Sequence, residues 1–442
     1  MTRAADRPEH LSTHSDTPTP RKGRFAALGS RNFRLFLLGQ AVVATGLWVQ
    51  RIAQDWLVLD LTGSATAVGV TTALQWAPML VFGLVGGWIA DRYPKRRVLQ
   101  GTQTAAALLA AVLAVLTVTG HVTAWQIQLL AAGLGTIAAI EKPVRSAFAA
   151  DLVGPGQIQS AVSLSYSVFN LGAFAGPALS GVLITAVGPG WAFALNAVSF
   201  VAPLVALARI NAAQLPYRHR PVVPTAAVPV PGGLWTVVRR SEIWRPMVLA
   251  AAFCMFTLNL AVTLATFART VHAGPAGYAM LTSSLAVGSM VGALIAAGRT
   301  RSTVRGLTWI GCVLSGLYLV AAAMPTLWSL GCVLAAIGII SIQLFTAANA
   351  SVQLAAGRAL RGRVMGVYLL VETGSAAVGG PVLGVINEYL GPRIGLILTG
   401  AMPAALIVLL SVLLFVRRRI YGRDSAAQIS EPQPIPPGSS HR

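Results

Sequence analysis

Charge is the scarcest ingredient of this 442-residue chain, with Asp, Glu, Lys and Arg together making up only 10% of it, against roughly 25% in soluble domains. A water-soluble globule is excluded. Cysteine is almost missing as well. Cys254, Cys312 and Cys332 lie in apolar stretches with neither paired nor metal-ligand spacing, so no disulfide framework and no metal site is expected. The six histidines fall mainly in tails and loops, and the chain lacks a phosphate-cradling Gly-Lys-Ser/Thr, a His-Glu-x-x-His and a Gly-x-Ser-x-Gly. Enzyme chemistry, an ATP-driven cycle and a bound cofactor are therefore not expected. Any work must draw on an ion gradient or on a substrate's own gradient.

What is abundant is apolar: 55% of the residues are hydrophobic and the mean hydropathy is +0.69. At about 20 residues per crossing of a hydrocarbon core about 30 Å thick, the length accommodates around twelve spans. Apolar runs between Gly, Pro and charge clusters place them at 34–58, 67–90, 98–119, 124–142, 160–187, 191–209, 246–268, 276–298, 305–324, 327–347, 364–387 and 394–416. Residues 1–32 are polar and basic and the first apolar run begins at Phe33, so the first span is expected to serve as its own signal anchor.

The net charge of +20 could suggest nucleic acid, but its distribution points elsewhere. With twelve spans, 30 of the 33 Lys and Arg residues fall on the side that holds both termini; Arg269 and Arg393 fall opposite and Arg51 lies within the first span. Positive loops mark the cytoplasmic side. Both termini are therefore expected in the cytoplasm, with anionic headgroups as counter-ions and no nucleic-acid partner.

The expected domains are a disordered N-tail at 1–32, a six-span bundle at 33–209, a linker at 210–245, a second six-span bundle at 246–416 and a disordered C-tail at 417–442. Five prolines between Pro216 and Pro231 make the first part of the linker an extended spacer. Its second part, Leu234 to Trp244, mixes aromatics with cations as interfacial helices do. An internal repeat shows in the fifth span of each half, where Gly176-Pro177 recurs as Gly380-Pro381. Parallel six-span repeats are one plan of secondary transporters.

Three groups of residues carry mechanism. The segment Gly87-Trp88-Ile89-Ala90-Asp91-Arg92-Tyr93-Pro94-Lys95-Arg96-Arg97 sets an acid at a helix end before a cation cluster, with a glycine one turn earlier that could let another helix approach closely. It reads either as a charge latch or as a plain positive loop. Gly172-Ala173-Phe174-Ala175-Gly176-Pro177-Ala178-Leu179-Ser180-Gly181 spaces small residues into a groove for helix contact, with Pro177 removing one backbone donor. Glu141-Lys142-Pro143-Val144-Arg145 and Arg361-Gly362-Arg363 sit at the termini side of spans 4 and 11.

The first segment resembles the Gly-x-x-x-Asp-Arg-x-Gly-Arg-Arg signature of the major facilitator superfamily, with Pro94 in place of a glycine. The second resembles the Gly-Pro element of that superfamily's proton-antiporting exporters. The remaining stretches resemble its enterobactin-exporter-like branch of drug and siderophore effluxers. The resemblance covers residues 33–416 and implies an all-α integral membrane fold of twelve helices in two six-helix bundles, in a bacterial plasma membrane. It implies gating roles for Gly87, Asp91, Arg92, Arg96, Gly172, Gly176, Pro177, Gly181, Gly380 and Pro381. The arginine that antiporting members often carry midway along span 4 is absent, Leu130 to Gly135 being wholly apolar.

Ionisable groups inside hydrocarbon are costly, which makes each a candidate for function. Glu372 lies about eight residues into span 11, roughly 12 Å from its start; it could exchange a proton as a cavity changes sides, or serve as a structural acid. Arg51 and Asp55, four residues apart in span 1, share a face and can pair, as a self-neutralising couple or as a substrate or ion site. Glu141, Arg145, Asn170, Asn259 and Gln343 complete the transport candidates, and Gln40, Gln50 and Asn349 are further polar groups that could join helices. The expected function is proton-coupled export of an amphipathic small molecule by a monomer. An uptake permease of the same fold and a non-transporting receptor or scaffold are the alternatives.

Overall fold

The computed structural model describes residues 26–210, 238–297 and 304–429. Twelve of its helices are long and apolar enough to cross a membrane. In the first half they are α1 (Arg31–Thr62), α2 (Ala65–Arg92), α3 (Lys95–Val118), α4 (Ala124–Asp151), α5 (Ile158–Val187) and α6 (Pro189–Arg209). In the second half they are α7 (Ser241–Thr270), α8 (Gly274–Ala297), α9 (Val304–Ala323), α10 (Leu327–Gly357), α11 (Leu360–Leu390) and α12 (Pro392–Ile429). There is no strand among the described residues.

Local chemistry sets the helix ends. Ser30 caps α1 by accepting from the Phe33 N–H at 3.3 Å, and Thr123 with Gln126 and Thr326 with Ser329 form capping boxes that open α4 and α10. Gly63 ends α1 at φ 69°, a left-handed conformation that suits glycine and allows the tight turn into α2. That turn defines one end of the bundle, the far face. Ala26, the α2–α3 turn and the end of α4 lie at the other, the termini face.

The halves repeat one packing plan. α1 packs on α5, α2 on α4 and α3 on α6, and the second half repeats this as α7 on α11, α8 on α10 and α9 on α12. Small residues make these crossings close: a Cβ on Gly338 would strike the backbone carbonyl of Leu285, and one on Gly292 would lie 2.5 Å from the carbonyl oxygen of Ile339. Between the halves, α2 meets α11 and α5 meets α8. The expected class is thus observed: all-α, twelve helices, two six-helix bundles.

The outer surface is that of a protein dissolved in lipid. Leu108, Leu129, Val182 and Leu294 are exposed, Leu294 by 72%, where a water-facing helix would carry charge. Exposed Trp125, Trp191, Trp328 and Tyr389 ring the far face, and Trp88, Tyr93 and Trp309 ring the termini face, as in the aromatic belts of membrane interfaces.

Three boundaries differ from the sequence reading. α4 runs nine residues past its expected end at 142 to Asp151, so Lys142 and Arg145 stand on a helix and not in a loop. Pro143 inside it leaves the Ala139 carbonyl without its helical donor, and Gly86 of α2 packs against that oxygen. α10 and α11 form one long helix broken only at Gly357, φ 68°, where a loop was expected. α12 continues to Ile429, so the first part of the expected disordered tail is helical; the next proline is Pro432. The N-tail to residue 25, most of the linker, and Arg299 and Arg301 lie outside the described residues.

Candidate functional site

Hydrogen bonds that join the two halves cluster toward the far face. Asp55, buried in α1, accepts a hydrogen bond from the Tyr278 hydroxyl of α8 at 3.2 Å, and the Tyr278 ring stacks on Trp56 at 6.2 Å between centroids. Arg269 of α7 donates to the Leu59 carbonyl at the end of α1. Glu388, near the end of α11, accepts from the Ser64 hydroxyl at 2.6 Å and from the Thr66 N–H at 2.9 Å. It therefore caps the first turn of α2 from the opposite bundle, where an anion meets the positive end of the helix dipole. Glu388 is exposed. Its replacement by alanine is expected to weaken far-face closure by less than about 1 kcal/mol, seen as a modest rise in labelling of a cysteine placed at Thr66 by an impermeant maleimide.

Beneath these contacts the glycines meet. A Cβ on Gly380 would lie 2.6 Å from the Gly69 carbonyl oxygen, one on Gly384 would lie 2.7 Å from that of Ala65, and one on Gly181 would strike Ala279 of α8. Gly380 and Gly181 therefore stand at the bundle interface. Gly172 and Gly176 stand inside the first bundle, against Ala44 and Trp48 of α1, with Pro177 buried beside them. Ser180, at a glycine position of the resembled element, donates to the Val49 carbonyl at 3.0 Å and fixes α5 to α1. Pro381 follows Gly380 within α11.

On the termini face the α2–α3 segment is arranged differently from the expected latch. Gly87 has open space where a Cβ would stand, and the close helix approach falls to its neighbour Gly86. Asp91 and Arg92 are exposed, Arg92 lying 5.6 Å over the Trp88 ring. Arg96 donates to the Ala208 carbonyl at 3.0 Å, and the acid engaged is Asp151, paired with Lys95 at 2.8 Å. Sequence separation hid Asp151 from a reading that looked only within the segment.

Between α1, α2 and α4 lies a polar seam. Arg51 does not close on Asp55; its guanidinium lies 5.3 Å from the Trp48 ring and 5.0 Å from the Trp76 ring. Lys142 reaches the same Trp76 ring at 5.1 Å and approaches the Met79 sulfur at 3.7 Å. Arg145 donates to Gln40 at 3.2 Å and pairs with Glu141 at 3.4 Å, and Gln103 donates to Glu141 at 3.0 Å. Trp48, Trp76 and Lys142 were not among the sequence candidates. The signal available was a tryptophan 11 residues into α2 and a lysine beside an acid.

The remaining candidates are dispersed. Glu372 of α11 is partly buried, with the Cys254 thiol at 3.7 Å and Tyr368 one turn earlier on its own helix. Asn259, at the joint inside α7, donates to the carbonyls of Met255 at 2.8 Å and Ala376 at 2.9 Å, tying α7 to α11 beside Gly379. Gln50 accepts from Asn196 at 2.6 Å, Asn349 from Gln353 at 2.6 Å, and Gln343 is buried in α10. The side chain of Asn170 lies outside the described residues. Among the described residues no group of three His, Cys, Asp or Glu is placed to hold a metal ion.

Comparison with known proteins fits this geometry. The chain is 24% identical to the enterobactin exporter EntS of Citrobacter koseri, over 92% of this chain and 95% of that one. It is 26% identical to the multidrug efflux pump Tap of Mycobacterium tuberculosis, over 81% and 87%. A 180-residue match, 31% identical, covers 40% of the chain and 43% of the staphyloferrin A transporter of Staphylococcus aureus, less than half of that relative. Among solved structures, a bacterial homolog of the human lysosomal transporter Spinster, in an inward-facing and unoccupied conformation, superposes with TM-score 0.66 at 15% identity over 89% of this chain and 98% of that one. The nucleoside transporter NupG superposes with TM-score 0.63 at 15% identity, over 87% and 99%. The family profile described as transmembrane secretion effector matches residues 22–439, and the chain therefore belongs to this family of major facilitator transporters.

Proposed function

We propose that this transporter exports amphipathic small molecules across the bacterial cell membrane by alternating access, as a monomer, with the inward return of protons as its energy source. The termini face is cytoplasmic in this reading, from the positive-inside distribution of Lys and Arg. The far face, where the bundles are hydrogen bonded, is then the closed outer side and the cavity opens inward. The outer gate consists of Gly69 with Gly380, Gly181 with Ala279, and the Glu388 cap on α2. The Asp91–Arg96 segment engages when the inner side closes, and Gly172, Gly176, Pro177 and Pro381 shape the helices that rock.

One observation carries the coupling: the buried Asp55 carboxyl of one bundle holds the Tyr278 hydroxyl of the other. Opening the outer side parts them, so the carboxyl loses its partner and meets water in one state only. A titratable group whose surroundings change with the conformational cycle can take up a proton on one side and release it on the other. Glu372 is a second acid within the spans, but both of its neighbours lie in its own half, so parting the bundles does not separate it from them as it separates Asp55 from Tyr278. Export is supported by the exporters and efflux pumps among its relatives.

Everted vesicles energised by respiration, acid inside, test the direction and the coupling together. Carrying the full chain, they are expected to accumulate fluorescent amphipathic dyes from a panel of anionic, neutral and cationic probes, and to lose the dye on addition of a protonophore. Depletion of dye from the everted lumen would mean uptake. No movement of any probe would mean a non-transporting role.

A further inference from the structure

The polar seam has more positive charge than it can pair within itself. Arg51, Lys142 and Arg145 face it from α1 and α4; of the four acids on those helices, Asp55 and Glu141 lie within a turn of these cations, while Asp60 is exposed near the end of α1 and Asp151 pairs with Lys95. Glu141 is matched to Arg145 at 3.4 Å, and Asp55 is turned to Tyr278 of the opposite bundle. Arg51, one turn before Asp55, keeps the attraction of that carboxyl without an ion-pair contact, and it shares the Trp76 ring with Lys142, their charges 5.0 Å and 5.1 Å from its centroid. Two like charges at one ring repel each other, more strongly where water is thin. Ring quadrupoles offset only part of this.

The seam is also not fully buried. Trp48, Arg51, Trp76, Lys142 and Arg145 all keep partial exposure midway along their helices, while α1 is covered on other sides by α5 and α6. Two half-buried indoles beside two cations form a recognition surface, with Trp48 also packed on Phe169 at 5.9 Å between centroids: the aromatic edges suit an apolar body, and the cations suit an acidic group.

We infer that this seam is the head-group site of the transport cavity and that its ligand is an amphipathic anion, a carboxylate, sulfonate or acidic phenol on an aromatic body. The inference rests on the transport reading above and names its substrate class. The anion places a negative charge between Arg51 and Lys142, removing the repulsion that the empty site carries. Neutral molecules of the same shape gain the stacking alone, and cationic ones meet two like charges.

Two probes isolate the charge: 8-anilinonaphthalene-1-sulfonate and N-phenyl-1-naphthylamine share one aromatic amine and differ by the sulfonate. Binding to the full chain in lipid nanodiscs, read by quenching of tryptophan fluorescence and corrected with empty nanodiscs, is expected to favour the sulfonate by at least about tenfold. Lys142→Met should bring that ratio close to one, and Lys142→Arg should restore most of it. Arg393→Gln, which removes a far-face cation bonded to the Ala322 carbonyl, should keep the wild-type ratio. A wild-type ratio of one or less overturns the inference even if Lys142→Met fails to fold, and so does an unchanged ratio in a folded Lys142→Met. Wild-type vesicles that move the neutral dye as well as the sulfonate would overturn the anion preference and leave export standing, as would movement of other probes of the panel with neither of these two; failure of the whole panel would refute export itself.

Discussion

Gly380→Val is expected to reduce transport strongly while the chain still inserts and folds. The substituted Cβ would stand 2.6 Å from the Gly69 carbonyl oxygen and 3.2 Å from the Asn259 Oδ1, and the first of these is backbone of the opposite bundle. Gly69 meets Gly380 in the reciprocal way, so neither helix has a side chain that could rotate aside. Overpacking of this kind costs about 1–3 kcal/mol, which corresponds to roughly a 5- to 150-fold shift between two states. The shift is directional. The closer clash, with Gly69, exists only when α2 and α11 touch on the far face, so valine favours the arrangement in which they are apart. Labelling of a cysteine at Thr66 by an impermeant maleimide should rise in step with the fall in transport. Normal labelling and normal flux together would show that the two glycines are not a gate.

Asp55→Asn separates proton coupling from geometry. Asparagine keeps the size of the residue and an oxygen that can accept from the Tyr278 hydroxyl, now 3.2 Å from the carboxylate. It can neither take up nor release a proton. Uphill efflux driven by a pH gradient is expected to fall to background, and downhill efflux to slow far less, with the pH dependence of both flattened. The measurement is dye flux in proteoliposomes with and without an imposed pH gradient. Uphill flux at the wild-type level would remove Asp55 from the coupling step and turn the test to Glu372, beside Cys254 and Tyr368, and to Glu141.

The span pattern was legible because twelve apolar runs are a strong periodic signal, and the Gly-Pro pairs were legible because glycine and proline restrict how helices can meet. The seam was hidden. Pro143 reads as a break, yet α4 passes through it because the freed Ala139 carbonyl packs on Gly86, and this carries Lys142 and Arg145 onto a helix facing α1. The choice between Gly86 and Gly87 depends on helix rotation, which two adjacent glycines leave undetermined in sequence. Asp55 and Tyr278 are 223 positions apart, beyond the reach of any local pattern. Arg51 and Asp55 share a face as their spacing predicts, but aromatic rings drew the guanidinium away.

The two girdles of Trp and Tyr described above also hold the protein at a fixed depth. Trp125, Trp191, Trp328 and Tyr389 anchor one rim and Trp88, Tyr93 and Trp309 the other, so the spacing between rims selects an acyl-chain length. Lipids longer or shorter than that length impose tilt or local thinning at fractions of a kcal/mol per Å. In the proposed cycle the rocking bundles carry these anchors with them, which makes the surrounding membrane a mechanical load on every turnover.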